Sequence, residues 1–518
     1  MYYFLGLGGM GMSALAHILL EKGEKVAGFD ANSSSEIIQD LQKKGAKPRP
    51  TIQDEKTVVY SSAFPLDHPL ILESKKRQLS LVHRSELLQH LMREKKEYVV
   101  AGSHGKTSTS SLLSWVFLHA NKDPSFAVGG VVKKVNCNGR FGRSSLFIAE
   151  GDESDGSFLA CSPYRAVITS YDLDHMDYWK KEEDLQKAFL QFFRQSKKAF
   201  WCKDDPLLSN WHQSGMLPGK DLVSYGFSST ADAACTKYQT TEKGSLFSIS
   251  YRGKTYRDLY IPLYGKHFVQ NAVAVFALAL DEGISCTEIQ QAFAFFPGVK
   301  RRQEKLFTKA KIDAFDDYAH HPKEIAATLA ALKERFSTRR RIAIFEPHRL
   351  QRLDALYDRF VSSFSDLDYL IVTDVYDPKD KRAFFDGNRF AKNAAKASNI
   401  SCKYVPIDDL LDHLQKQIRP FDVMISLGAG ILSSWMQKAK DISYQPWHIG
   451  LIFGGASPEH DVSIASARYF LQALQKQEHY QLAEFYISKK GVWSTGSSEK
   501  ARPEDTAVSS SELDSIQS

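Results

Sequence analysis

Three times along this chain a short apolar run ends in a glycine-rich turn that opens a helical pattern. Tyr2 to Leu7 runs into Gly6-Leu7-Gly8-Gly9-Met10-Gly11, Tyr98 to Ala101 into Gly102-Ser103-His104-Gly105-Lys106-Thr107, and Trp447 to Phe453 into Gly454-Gly455. A strand, a turn lacking β-carbons and a helix are the unit from which parallel sheets with covering helices are built. The fold class is therefore α/β. At roughly 100 to 200 residues per domain, 518 residues make three or four domains, each able to bury its own core.

Apolar runs alternating with helical patterns place a first α/β domain at 1–95 and a larger one at 96–300. In the latter, turn signals at Lys243-Gly244 and Arg252-Gly253 predict inserted antiparallel hairpins. A third series occupies 301–445, with strands expected at Arg341 to Phe345, Tyr369 to Thr373, Lys403 to Val405 and Val423 to Leu427. The pattern restarts at 446–518, and its tail from Ser494 is polar and Ser-rich, a composition expected to be loose.

Charge separates function classes only coarsely. With 67 basic and 61 acidic residues the net charge is +6, far from a nucleic-acid-binding signature. No apolar run reaches the roughly 18 residues of a membrane span. The apolar start lacks the basic flank of a secretion signal, its first basic residue being Lys22, and the six cysteines form no C-x-x-C pair. These features predict a cytoplasmic protein with reduced thiols that acts neither on nucleic acid nor in a membrane. The oligomeric state is not legible.

The first turn fits G-x-G-x-x-G, in which Gly8, Gly9, Met10 and Gly11 let a diphosphate approach backbone N–H groups at a helix start. Asp30, ending the next strand, is placed to bond a ribose hydroxyl. The fingerprint alone does not separate NAD from another nucleotide diphosphate. The second turn has the parts of a phosphate loop: Gly102, Ser103, His104, Gly105, then Lys106 for phosphate charge, Thr107 for Mg²⁺ and Ser108 opening the helix. It is a shortened variant, since the general G-x-x-x-x-G-K-[ST] pattern wants glycine where Val100 stands.

Glu150-Gly151-Asp152-Glu153-Ser154-Asp155 sets four carboxylates at another strand end, where an α/β domain places metal ligands beside phosphates. His175 is a further strand-end candidate. In the third series, Asp317, Tyr318 and His320 follow one strand, and His348, Arg349 and Arg352 follow another. The adjacent His320 and His321 lack a third ligand at zinc spacing, while the arginine spacing suits either an anion or a solvated helix start.

Taken together, these residues resemble the Mur ligase family over nearly all of residues 1–443. The resemblance rests on Gly6 to Ala16, Gly102 to Thr109, Ala149 to Phe158, Leu173 to Trp179, Gly298 to Arg302, Asp316 to Pro322 and Glu346 to Arg349, in the family's order. It implies three consecutive α/β domains: a Rossmann-like one for the UDP end of the substrate, a P-loop-like ATPase, and a Rossmann-like third that closes over both. The implied reaction is ATP-dependent ligation of L-alanine to UDP-N-acetylmuramate through an acyl phosphate, with ATP and Mg²⁺ as cofactors.

Carried onto this chain, the resemblance gives Lys106 the phosphates, Thr107 and Glu150 the Mg²⁺, and His175 a second metal or the transferred phosphate. It places Asn271, Arg302 and Asp317 near ATP, and His348, Arg349 and Arg352 at the amino acid and the reacting carboxylate. Tyr318 and His320 fall on its substrate side. The family's G-x-H-N-x-x-N stands here as Gly265 to Asn271 with Phe268 at the first Asn, which bears on a polar contact near adenine or metal.

Gly450 to Leu474 is separately similar to the beginning of the D-alanine:D-alanine ligase family, in which Glu459's position anchors a substrate amino group. That implies a partial α/β fragment of an ATP-grasp ligase, lacking the catalytic core and expected to be inactive in D-alanine ligation. The open alternatives are a Mur ligase adding another amino acid, a non-catalytic nucleotide-binding scaffold, and an NAD-dependent oxidoreductase resting on the first fingerprint alone.

Overall fold

A computed structural model describes residues 1–219, 221–377, 385–474 and 480–495. Most of the tail expected to be loose lies outside the described residues. The chain divides into two compact units, Met1–Glu304 with Ala326–Arg335, and Lys305–Ile325 with the residues from Phe336 onward.

The first unit holds two sheets. Strands β1 (Tyr2–Leu5), β2 (Val26–Phe29), β3 (Lys47–Pro48), β4 (Thr57–Tyr60) and β5 (Ser80–His83) form an all-parallel sheet in the order β3-β2-β1-β4-β5. That order reverses direction at β1, so the crevice beyond its carboxyl end is where the first glycine turn lies. The helix Met10–Glu21 that follows is buried over most of its length, because it packs on its own sheet and on the next domain.

The second sheet comprises β6 (Lys96–Ala101), β7 (Ser125–Val132), β8 (Cys137–Arg140), β9 (Leu146–Glu150), β10 (Arg165–Ile168), β11 (Ala199–Cys202), β12 (Leu222–Gly226), β13 (Ala233–Thr240), β14 (Ser245–Tyr251) and β15 (Lys254–Ile261). Its order is β15-β14-β13-β12-β11-β10-β6-β9-β7-β8, with β13 to β15 as the antiparallel meander expected from the turn signals. Strand β6 is flanked by β9 and β10, both parallel to it. The phosphate-loop turn after β6, the acidic segment after β9 and the Thr169 to Asp172 segment after β10 therefore open at one edge. One apolar core joins both sheets, from Phe4 and Leu15 to Val99, Phe117 and Phe189.

In the second unit, β16 (Glu304–Lys309), β17 (Ile312–Asp317), β18 (Arg341–Phe345), β19 (Tyr369–Val372), β20 (Ser401–Tyr404) and β21 (Val423–Leu427) run in the order β16-β17-β21-β18-β19-β20. The stretch from Arg302 to Asp316 holds β16 and most of β17. They are separated by Ala310 and Lys311, both at positive φ, the conformation of a tight two-residue turn. A fourth sheet, β22 (Trp447–Gly454), β23 (Tyr480–Ile487) and β24 (Trp493–Thr495), packs the helix His460–Leu474 against β22. No described helix is long and apolar enough to cross a membrane.

Candidate functional site

Strand β6 delivers its backbone into the second turn through Gly102, at φ +132°, where a β-carbon would lie 2.2 Å from Thr169 Oγ1 and 2.8 Å from Ser170 N. Only glycine lets the turn close onto the end of β10. The following helix, Lys106–His119, starts at Gly105 without a side-chain cap, so its first N–H groups face the turn as a ready anion site. The loop is fixed from behind. Ser103 Oγ accepts from Asp172 N at 2.8 Å, His104 N donates to Ser170 Oγ at 2.9 Å, and His104 Nε2 lies 3.2 Å from Asp172 Oδ2.

The side chains in front of this turn carry the chemistry. Lys106 Nζ donates to Gly102 O at 2.6 Å and to Glu153 Oε1 at 2.9 Å. Thr107 Oγ1 donates to Glu150 Oε1 at 3.1 Å, and Gly129 N donates to Glu150 Oε2 at 2.8 Å. Arg302 Nη2 donates to Thr107 Oγ1 at 3.3 Å. The buried Asn271 lies against Gly105, its Oδ1 being 3.2 Å from where a β-carbon there would sit. Ser108, the third residue of the helix, is buried. His175, in the left-handed region at φ 57°, places Nε2 3.6 Å from Asp174 Oδ2 and 3.9 Å from Glu153 Oε1.

Electrostatics hold this group together. Burial disfavours the Lys106 ammonium, but the carboxylates of Glu153, Glu150 and Asp152 outweigh it and keep its pKa above the usual lysine value. Burial pushes Glu153 up to about 7 despite Lys106, with Asp152 adding to the rise. Burial opposes Asp152 as well, yet Arg84 first and Lys106 second hold it well below the usual carboxylate range.

At the first turn, Gly8 N donates to Asp30 Oδ2 at 2.7 Å and Asn32 N to Asp30 Oδ1 at 2.9 Å. Asp30 thus braces the turn itself. The helix Met10–Glu21 begins at Gly9 with no side-chain cap and no acidic residue in its first turn; Gly8 N and Gly9 N are held by Asp30 and by Gly6 O, so the N–H groups an anion would meet are those of Met10 and Gly11. Asn138 Nδ2 ties this start to the second domain, donating to Met10 O at 2.7 Å and Ser13 Oγ at 2.9 Å.

A separate cluster forms in the second unit. His320 and His348 meet edge to face at 5.5 Å, Tyr318 lies 5.2 Å from His320, and His348 stacks on Tyr376 at 5.9 Å. Arg352 Nη1 stands 3.3 Å from His348 Nδ1, and Arg349 sits at φ 63° ahead of the helix Leu350–Ala355. Asp317 is buried and accepts from Ala319 N at 2.8 Å, whereas its neighbour Asp316 accepts from Ser426 Oγ and Ser433 Oγ at 2.6 and 2.7 Å. Glu459 is exposed just before the helix His460–Leu474, its N–H donating to Ser457 Oγ.

Sequence reasoning left three participants without roles. Glu153 stood in the acidic segment, but only the fold selects it as the partner of Lys106. Gly129 had no signal, yet a β-carbon there would lie 2.5 Å from Glu150 Oε2 and 2.9 Å from Thr107 Oγ1. Arg84 had none either. Phe268, at the departure from the family pattern, is buried with its ring 4.3 Å from that of His267.

The Mur ligase family catalytic domain matches residues 1–96, the Mur ligase middle domain 100–279, the Mur ligase glutamate ligase domain 301–430 and the D-ala D-ala ligase N-terminus 448–517. A bifunctional enzyme MurC/Ddl of Chlamydia caviae is 40% identical over 95% of this chain, which spans 61% of that relative's length. A UDP-N-acetylmuramate–L-alanine ligase of Protochlamydia amoebophila is 38% identical over 83% of this chain and 95% of its own. The crystal structure of UDP-N-acetylmuramate-alanine ligase MurC from Thermotoga maritima superposes with a TM-score of 0.73 at 25% identity, covering 85% of this chain and 98% of that one.

Proposed function

The chain belongs to the Mur ligase family, and on that premise we propose that it joins L-alanine to UDP-N-acetylmuramate, driven by conversion of ATP to ADP and phosphate. The observation that carries this reading is the half-buried Lys106 ammonium under an uncapped helix start, flanked by Thr107, Glu150 and Arg302. A carboxylate is a poor acylating agent. Its oxygen attacks the γ-phosphorus of ATP, ADP leaves, and the acyl phosphate is attacked by the amine of L-alanine, which loses a proton as phosphate departs.

Little covalent work falls to the protein, so its task is positioning and charge stabilisation. In this reading the N–H groups after Gly105 and the Lys106 ammonium hold the β- and γ-phosphates, and Arg302 and Asn271 face the same nucleotide. Lys106 exchanges Glu153 for phosphate oxygens when ATP arrives, and the carboxyl left behind is one that burial already favours in its neutral form. His348, Arg349 and Arg352 receive the amino acid and the reacting carboxylate, with Tyr318 and His320 alongside, and Asp317 is assigned to the nucleotide. The first turn takes the uridine diphosphate, with Asp30 bracing it.

The donor set fits Mg²⁺: the Thr107 hydroxyl and Glu150 carboxylate are hard oxygen ligands, in a space kept open by Gly129, with His175 beside Glu153 and Asp174. Bound there, the ion would offset negative charge on the phosphates. A cytoplasmic setting accords with six free cysteines. No step of this reaction draws on residues from Trp447 onward.

The test is phosphate release from ATP and Mg²⁺ with UDP-N-acetylmuramate, with and without L-alanine, with mass detection of the product. Release requiring both acceptors supports the reading. Release indifferent to them, or a clear preference for another amino acid, overturns it.

A further inference from the structure

Arg84 opens the helix Arg84–Met92 after β5, at the carboxyl edge of the first sheet. Its Nη2 donates to Asp152 Oδ2 at 2.5 Å and to Asp155 Oδ2 at 3.0 Å, both in the acidic segment of the second domain. The other side of the guanidinium lies against the first glycine turn. A β-carbon on Gly11 would be 3.0 Å from Arg84 Nη1. One cation therefore stands between an uncapped helix start lacking any acidic residue in its first turn and the carboxylates flanking the Lys106, Thr107 and Glu150 group. Asp155 is held in place independently, accepting from Ser62 Oγ at 3.1 Å and Ser157 N at 3.1 Å.

We infer that Arg84 is a positioning residue that couples the diphosphate site at the first turn to the cation and nucleotide site at the second. The inference rests on the reading that a nucleotide-sugar diphosphate occupies the first turn. Without that ligand, Arg84 spends its charge on Asp152 and Asp155, and Asp152 in turn faces Lys106. A diphosphate beside Gly11 is a third anion competing for the same guanidinium. As it draws Arg84, the acidic segment becomes less neutralised, and a divalent cation at Thr107 and Glu150 is held more tightly. Linkage makes the effect reciprocal, so the cation and its nucleotide tighten the sugar nucleotide by the same factor.

The coupling is measured by titrating Mn²⁺ into the ADP-loaded full chain, with and without UDP-N-acetylmuramate, reading free Mn²⁺ by electron paramagnetic resonance. The expected tightening in the unmodified protein is about five-fold or more. Arg84→Met should bind Mn²⁺ more tightly than the unmodified protein when the sugar nucleotide is absent, and the sugar nucleotide should then add little. Arg84→Lys should restore part of the coupling. Asp155→Asn, which leaves Arg84 in place, should reduce the coupling without abolishing it, and reads the same effect if Arg84→Met does not fold. A merely structural arginine would give weaker Mn²⁺ binding in Arg84→Met, and that result, or unchanged coupling in both Arg84→Met and Asp155→Asn, overturns the inference. Failure of UDP-N-acetylmuramate to bind at all overturns instead the reading of the first turn.

Discussion

The two glycine turns of the first unit begin from the same backbone device and end as different sites. Each follows a strand, carries positive-φ glycine and opens an uncapped helix. Around the first, Asp30 braces Gly8 and Arg84 lies against Gly11. Around the second, Lys106, Thr107, Glu150 and Arg302 converge within hydrogen-bonding range. The helix start supplies a generic preference for anions, and the side chains brought by neighbouring strand ends decide whether phosphate is bound or transferred.

The comparison breaks most sharply at Lys106. Lys106→Ala should lower turnover by about a hundred- to a thousand-fold, about 3–4 kcal/mol of transition-state stabilisation, while leaving the affinity for UDP-N-acetylmuramate at the first turn nearly unchanged. Steady-state phosphate release and calorimetric binding read the two halves. If both fall together, the turns do not have separate tasks.

Next comes the tolerance of each turn to a β-carbon. At Gly102 the added atom meets Thr169 Oγ1 and backbone N–H groups that cannot withdraw, so Gly102→Ala should cost about 2–3 kcal/mol in chemical denaturation. At Gly6, φ +79°, it meets Phe64 Cε2 at 2.8 Å, the edge of a side chain able to turn aside. Gly6→Ala should therefore cost only about 1 kcal/mol, mostly backbone strain. Equal losses would remove this distinction.

Between these lies a difference in proton sensitivity. The helix after the first turn carries His17, 3% exposed, whose pKa is pushed down to about 4 by burial and then by Lys44, with Asp40 opposing. Because its folded value is below its unfolded value, its contribution is complete above about pH 6.5 and is lost as the pH falls toward 4. From pH 7 to 5 the loss should be about 2 kcal/mol. Urea unfolding of the unmodified protein and of His17→Phe should show that slope in the first only.

How much of this was legible follows from what each residue does alone. The α/β class, the β13 to β15 meander and the phosphate-loop turn announce themselves through local alternation and glycine spacing. The residue pairs do not. Asp316 and Asp317 are adjacent, but one is consumed by Ser426 and Ser433 while the other turns to the loop at Ala319, a division that depends on β21 lying beside β17. His320 meets His348 rather than serving with its neighbour His321 as a ready metal pair, because both follow strands that flank β21.

Sequence by itself determined the periodicities, the turn residues and the inventory of charges, because these depend on near neighbours and on chain stereochemistry. Tertiary structure alone decided that Lys106 faces Glu153, that Glu150 is gripped by Gly129 and Thr107, and that Arg84 stands between two domains' ligand loops. Those contacts join residues tens of positions apart through strand order, and strand order is fixed by how a shared apolar core is buried, which no local pattern encodes.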